Sequence, residues 1–331
     1  MHGPQSRRAL EEFATRVATR FDLPDATHAL DSAAADALDA FAAEGVDGLL
    51  LKGPALARQL YTAAECRKYA DVDLLVAPDD VGRARRVLEA LGYKNMSAAL
   101  GIDDVGGVVH EESWLRTGGS PREHILIELH LRLAGAESPP RVVWDALMAH
   151  RSYIELDGRR VPVLEREGLG LLLATHAAQH GLAYRKGLSE LALGLERWHL
   201  DIWQGAAALA GKIGATDGFA AGLRLVPRGA ELARVLRLPA TERLDWEIRH
   251  RNLRPRGTFH LQALVEERGF AARGHVLRRA LLPSRTWIVS QYAWARTGRA
   301  RLALAYALHL ARAPAWAFRA WRFGSRARRA A

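Results

Sequence analysis

Apolar positions along the first half of the chain change period several times, and each change marks an element. Residues 8–20 and 27–44 repeat apolar side chains at three- and four-residue intervals, which predicts two helices, the second stopped by Gly45. The run "VDGLLL" (46–51) reads as a short strand. After it, Pro54 is placed to open a helix. Residues 71–76 predict a second strand, and "PDDVGRARRVLEALGY" predicts a helix capped by Asp79 or Asp80 and stopped at Gly92. Two apolar runs around Gly-Gly-Ser-Pro within 112–133 predict a hairpin, and Asp157-Gly158 within 152–164 predicts another. The Gly-rich stretches "LGIDDVGG" and "TGGS" follow no phosphate-loop pattern and read as loops. From Glu165 onward almost every segment has helical period. The expected organisation is an α/β domain over 1–164, N-terminal helices included, and an all-α domain over 165–331.

Composition narrows this picture. A chain of 331 residues with 49% hydrophobic and 25% charged residues has an ordinary globular balance. A single cysteine, Cys66, excludes an internal disulfide and suits a reducing cytoplasm. The first twenty residues carry acids and no continuous apolar core, unlike a secretory signal. The run "LALAYALHLA" (302–311) is too short to span a bilayer. The expectation is a soluble, cytoplasmic protein.

Charge is unevenly spread. Residues 269–331 hold thirteen Arg and no Asp, Glu or Lys, so a net +10 for the chain leaves the first 268 residues at −3. Arg alternates there with Trp, Tyr and apolar residues at helical spacing. Three readings stand: helices packed on the all-α domain, a peripheral contact with an anionic membrane at the inner face, or contact with nucleic acid through phosphates and stacking.

The candidate chemistry lies in the first half. In "KYADVDLLVAP" (68–78) Asp71 and Asp73 are two residues apart, so on a strand they share a face and repel each other unless a cation lies between them. Lys52-Gly53-Pro54 runs from a strand end into a helix start, where backbone N–H groups favour anions. In "ILIELHL" (125–131) Glu128 and His130 share one face. Three carboxylates beside a phosphate-binding turn suit Mg²⁺ or Mn²⁺, which take oxygen ligands from carboxylates and substrate phosphates. Two such ions can stabilise both oxygens of an in-line displacement at phosphorus.

The order "LLLKGPALA", "RKYADVDLLV", "ILIELH" resembles the polymerase-beta-like nucleotidyltransferase superfamily, and in detail a bacterial subfamily of uncharacterised nucleotidyltransferases, over about residues 46–205. The resemblance implies a small mixed-sheet catalytic domain, of α/β (α+β) class, followed by an all-α domain. It implies that Asp71, Asp73 and Glu128 bind the metal ions, with Glu128 also able to deprotonate the acceptor. It further implies that Gly53 admits the triphosphate, that Lys52 and Arg67 neutralise phosphate oxygens, and that His130 touches the acceptor or orients an acid. The implied reaction moves a nucleoside monophosphate from an NTP to an acceptor hydroxyl or phosphate, releasing pyrophosphate. Sugars, lipids, peptides and small molecules are candidate acceptors, in polysaccharide or modified-peptide biosynthesis. The sequence departs from the pattern at Pro54, where many members carry Ser. The alternative is a non-catalytic protein on the same fold that binds nucleotide or acts as a scaffold, docked on membrane or RNA by its basic end.

Three further features have simpler readings. His176 and His180 lie one helical turn apart without the Glu of a metalloprotease motif, so they read as part of a helix over the cleft rather than as zinc ligands. Arg197 and Asp201, at i and i+4 in "ERWHLDIW", read as a helix-stabilising pair, with Asp201 alternatively lining the acceptor pocket. No Gly-x-Ser-x-Gly elbow is present, and no His is evidently placed to activate Cys66.

Overall fold

A computed structural model describes residues 25–62, 64–96, 111–118, 124–240, 242–250, 257–266 and 269–329. The helix expected over 8–20 and most of the two glycine-rich loops lie outside these residues. The fold is mixed α/β with a seven-stranded mixed sheet and a helical C-terminal region.

The sheet is built from β1 (Gly48–Leu50), β2 (Val72–Val76), β3 (Lys94–Asn95), β4 (Glu111–Arg116), β5 (Ile125–His130), β6 (Arg151–Leu156) and β7 (Arg159–Leu164), in the order β3-β4-β5-β2-β1-β7-β6. Strands β4 and β5 form the first expected hairpin, and β6 and β7 the second. Asp157 (φ 51°) and Gly158 (φ 72°) make the second turn, the left-handed pair that a two-residue connection requires. Two parallel pairings, β2 with β5 and β1 with β7, join these local pieces. All five residues of β2 are buried, as a central strand demands.

Helix α1 (Asp25–Ala43) covers one face of the sheet. Leu30, Ala33, Ala34, Ala37, Leu38 and Phe41 recur on its inner side and pack with Val72, Leu74, Ile127 and Leu129. It ends in a left-handed Gly45 (φ 67°), with the Val46 N–H bonded 2.8 Å to the Phe41 carbonyl, which satisfies an otherwise orphaned acceptor. Helix α2 (Pro54–Gln59) follows β1. Helix α3 (Val81–Ala90) adds Ala84, Val87 and Leu88 to the same core. No side-chain hydrogen bond caps α3: the Asp80 carboxylate pairs instead with Arg83. Because side chains alternate along a strand, Asp73 and Glu128 project from the opposite face.

The chain divides into two compact units. Of the described residues, the first holds the sheet with 25–95, 111–173 and 192–215, and the second holds 174–191 and most of 216–329. Helices α4 (Pro140–Ala149) and α7 (Leu200–Lys212) belong to the first. Helices α5 (Arg166–His180) and α6 (Arg185–Arg197) each have one end in either unit.

The second unit contains α8 (Thr216–Leu223), α9 (Pro227–Val235), α10 (Glu242–Arg249), α11 (Thr258–Glu266), α12 (Phe270–Leu281), α13 (Arg285–Gln291) and α14 (Arg299–Arg329). Here α8 meets α5 so closely that a Cβ on Gly222 would stand 1.8 Å from the Ala174 carbonyl oxygen. Ile288, Ala295 and Ala305 form a small core around α13 and α14. The His309 ring, bonded at 2.9 Å to the Ala280 carbonyl, ties α14 to α12.

Candidate functional site

Parallel pairing of β2 with β5 sets Asp73 directly opposite Glu128. His130 lies two residues further along β5 on the same side, opposite Glu111 of β4. One ligand atom from each of Asp73, Glu128 and His130 falls within 4.8 Å of the others, the spacing of a shared cation site. The register thus brings together residues far apart in sequence.

A cation already stands beside this cluster. Lys52 stands two residues beyond β1, and its Nζ lies 2.8 Å from Asp73 Oδ1. His130 Nε2 lies 2.9 Å from the same oxygen, and its Nδ1 is 3.6 Å from Glu111 Oε2. Burial by itself raises the proton affinity of Asp73, but the Lys52 ammonium and His130 more than offset it and hold the carboxyl well below the usual range. Burial lowers that of Lys52, and the same Asp73 contact outweighs it in turn.

Glu128 behaves oppositely. Burial first, then Asp73, Asp71 and Glu111, push its pKa up to about 9. Several acids in one buried place cannot all ionise with a single ammonium among them. A divalent cation would relieve that conflict, so the donor set fits a hard metal ion.

Asp71 stands one residue before β2 and is half-buried. It is not among the three residues whose ligand atoms converge, but its charge acts on both Lys52 and Glu128. Its carbonyl oxygen packs against Gly53, where an added Cβ would lie 3.2 Å away. Gly53 itself has φ 59° and ψ −113°, a conformation open to glycine and strained for other residues. The turn therefore needs glycine twice over, for its backbone angles and for its contact with Asp71. Pro54 follows as the first residue of α2, and the Ala55 N–H is taken by the Lys52 carbonyl at 3.2 Å.

Arg67 is buried, and its Nη1 donates to the Gly53 carbonyl at 3.2 Å, with the guanidinium 5.9 Å from the centre of the Tyr69 ring. The Tyr69 ring packs beside Gly53, and its hydroxyl donates to Asp31 of α1. Asp31 also accepts from Arg58 of α2 at 2.6 Å. This bracing of the turn by Asp31, Arg58 and Tyr69 was not anticipated from sequence. Its available signal was an acid on the otherwise apolar inner side of α1.

Arg197 and Asp201 do not pair within a helix. Trp198 and His199 separate α6 from α7. The Arg197 guanidinium instead grips Glu65 at 2.7 and 2.5 Å and donates to the Leu60 carbonyl at 2.7 Å. Glu65 is held down at about 2, chiefly by Arg197 and then by Thr62. Asp201 is exposed in the first turn of α7, where an acid suits the helix dipole. The His176 and His180 rings lie 4.4 Å apart with Tyr184 at 5.4 and 5.0 Å, an aromatic cluster. Among the described residues, the converging metal-type donors are Asp73, Glu128 and His130.

A family model described as "Uncharacterised nucleotidyltransferase" matches residues 20–228. No curated protein sequence matches. Among solved structures, the antibiotic-resistance factor ANT(2'')-Ia is similar at 17% identity and TM-score 0.37, over 54% of this chain and 90% of its own. A nucleotidyltransferase-like antigenic protein from Paracoccidioides brasiliensis is similar at 14% identity and TM-score 0.34, over 55% and 88%.

Proposed function

Because the chain belongs to a family of uncharacterised nucleotidyltransferases, we propose that it transfers a nucleoside monophosphate from an NTP to an acceptor hydroxyl or phosphate and releases pyrophosphate. The observation that carries this reading is the pairing of Asp73 with Glu128 across two parallel strands, with His130 beside them. The acceptor belongs to the sugar, lipid, peptide or small-molecule class.

Asp71, Asp73 and Glu128 are the residues to hold Mg²⁺ or Mn²⁺. When bound, the metal supplies charge neutralisation for the triphosphate and for the oxygens gaining charge at the transferred phosphorus. Asp73 is already ionised and ready to ligate, since Lys52 and His130 hold it so. Lys52 lies where it can exchange its contact with Asp73 for one with a phosphate oxygen. Gly53 leaves room for close approach of the triphosphate, and Arg67 fixes the turn that presents it. Glu128, once a bound cation has displaced the proton it otherwise holds, is the group to take the proton of the acceptor hydroxyl. His130 keeps Asp73 oriented through its Nε2 contact.

The test is pyrophosphate release from each NTP with Mg²⁺ and acceptors of the four classes. Wild type releases pyrophosphate with one acceptor class, and Asp73→Asn lowers the rate at least about 100-fold with its circular dichroism unchanged. Equal rates in the two proteins would refute the assignment. A protein that binds NTP and metal but releases no pyrophosphate with any class would be the non-catalytic alternative.

A further inference from the structure

Helix α14 has two apolar stripes, and among the described residues only one of them is buried. Ala305, His309, Ala313, Ala320, Phe323 and Ala327 form the buried stripe. At about 100° per residue, positions 304, 307, 311, 314, 318 and 321 fall on the opposite side. These are Leu304, Ala307, Ala311, Pro314, Phe318 and Trp321, all exposed. Leu304, Phe318 and Trp321 are 54%, 55% and 53% accessible, and Phe318 stacks on Trp321 with ring centroids 6.0 Å apart. Solvated helix faces do not ordinarily carry an apolar line five turns long.

The charges beside this line select its partner. Arg312, Arg319 and Arg322 each follow a stripe position by one residue, and Arg326 continues the seven-residue spacing of Arg312 and Arg319 on the same flank. All four are exposed, and no acidic residue occurs anywhere from 269 to 331. A second copy of the same surface would bring these guanidinium groups against each other with no carboxylate to pair them. A nucleic acid would satisfy the arginines but give Leu304 and the apolar line nothing to enter. An anionic bilayer offers phosphate headgroups to the flank and acyl chains to the stripe.

We propose that α14 lies in the plane of an anionic membrane surface, with Leu304, Phe318 and Trp321 in the acyl boundary and Arg312, Arg319, Arg322 and Arg326 on the headgroups. The helix lies on the bilayer rather than through it, since no helix among the described residues is long and apolar enough to cross one.

The test is flotation of the full chain with phosphatidylcholine vesicles, with and without phosphatidylglycerol. The chain floats with the anionic vesicles and not with phosphatidylcholine alone. Phe318→Ser/Trp321→Ser lowers partitioning about tenfold or more, and Arg319→Gln/Arg326→Gln lowers it by a similar factor at low salt. All four side chains are exposed, so both variants keep the fold, as circular dichroism would check. No flotation, flotation indifferent to phosphatidylglycerol, or flotation unchanged in the Ser variant would each overturn the proposal. So would polyuridylate binding that depends equally on Phe318 and Trp321, which would mark a nucleic-acid surface.

Discussion

Lys52 Nζ and Asp73 Oδ1 are 2.8 Å apart within the acid cluster, the lysine two residues beyond one strand and the aspartate within its neighbour. The ammonium occupies the place where the electrostatics call for a cation. It satisfies one carboxylate and leaves Glu128 protonated at neutral pH. Metal binding at this cluster would therefore require Lys52 to leave Asp73 and Glu128 to lose its proton.

Removing the ammonium isolates a buried carboxylate. Lys52→Met is expected to destabilise the metal-free protein by about 3 kcal/mol, the lower end for breaking a buried pair, because the lysine retains some solvent contact. Mn²⁺ should restore more stability to the variant than to wild type, since it no longer competes with lysine. Urea unfolding with EDTA and with Mn²⁺ measures both effects. Equal metal stabilisation in the two proteins would contradict the competition.

Glu128 sets a pH dependence whose sign is fixed. Its pKa rises from 4.5 to about 9 on folding, so between these values the folded chain keeps a proton that the unfolded chain has lost. Stability in EDTA therefore falls as pH rises through that window. Asp73 shifts the other way, and its contribution is lost only in acid, below its ordinary value of 3.8. Thermal melts from pH 5 to pH 9 should show the decline, and Glu128→Gln should flatten it. An unchanged slope in that variant would place the titration elsewhere.

Gly53→Ala should cost about 1–3 kcal/mol. The backbone at φ 59° and ψ −113° resists a side chain, and the new Cβ would press on the Asp71 carbonyl at 3.2 Å. Because Asp71 must shift, metal affinity should fall along with the melting temperature. A variant as stable as wild type would show that the turn has another accessible conformation.

Arg197→Ala should leave global stability nearly unchanged, as for other exposed ion pairs. It removes three hydrogen bonds that end on Leu60 and Glu65, just ahead of Cys66 and Arg67. Amide exchange in residues 60–66 should speed up while β2 stays protected. Exchange unchanged in that segment would show that Thr62 and Glu65 hold the turn without the arginine.

Local pattern carried the elements far and their assembly less far. The apolar period located α1, β1, β2 and α3, and turn chemistry located the β6–β7 hairpin from Asp157-Gly158. The parallel pairings were not legible, because nothing in the period of a strand says that Leu50 will sit beside Val163 or Asp73 beside Glu128. At the site, acid spacing marked Asp71, Asp73 and Glu128. The reach of Lys52 across to Asp73 depends on strand order and had no local sign. Arg197 was misplaced for a physical reason: "RWHLD" contains neither Gly nor Pro, so helical period ran through the break between α6 and α7. The acid in the first turn of α7, Asp201, was the cue to a new helix start.

On the proposed function, the carboxylates at β2 and β5 carry a nucleotide through a divalent ion. Calorimetric titration of each NTP, with and without Mg²⁺, into wild type and Asp71→Asn/Asp73→Asn tests it most directly. At least one NTP is expected to bind only with Mg²⁺, and that binding is expected to be lost in the double variant. Binding that is indifferent to the metal and to both aspartates would contradict it.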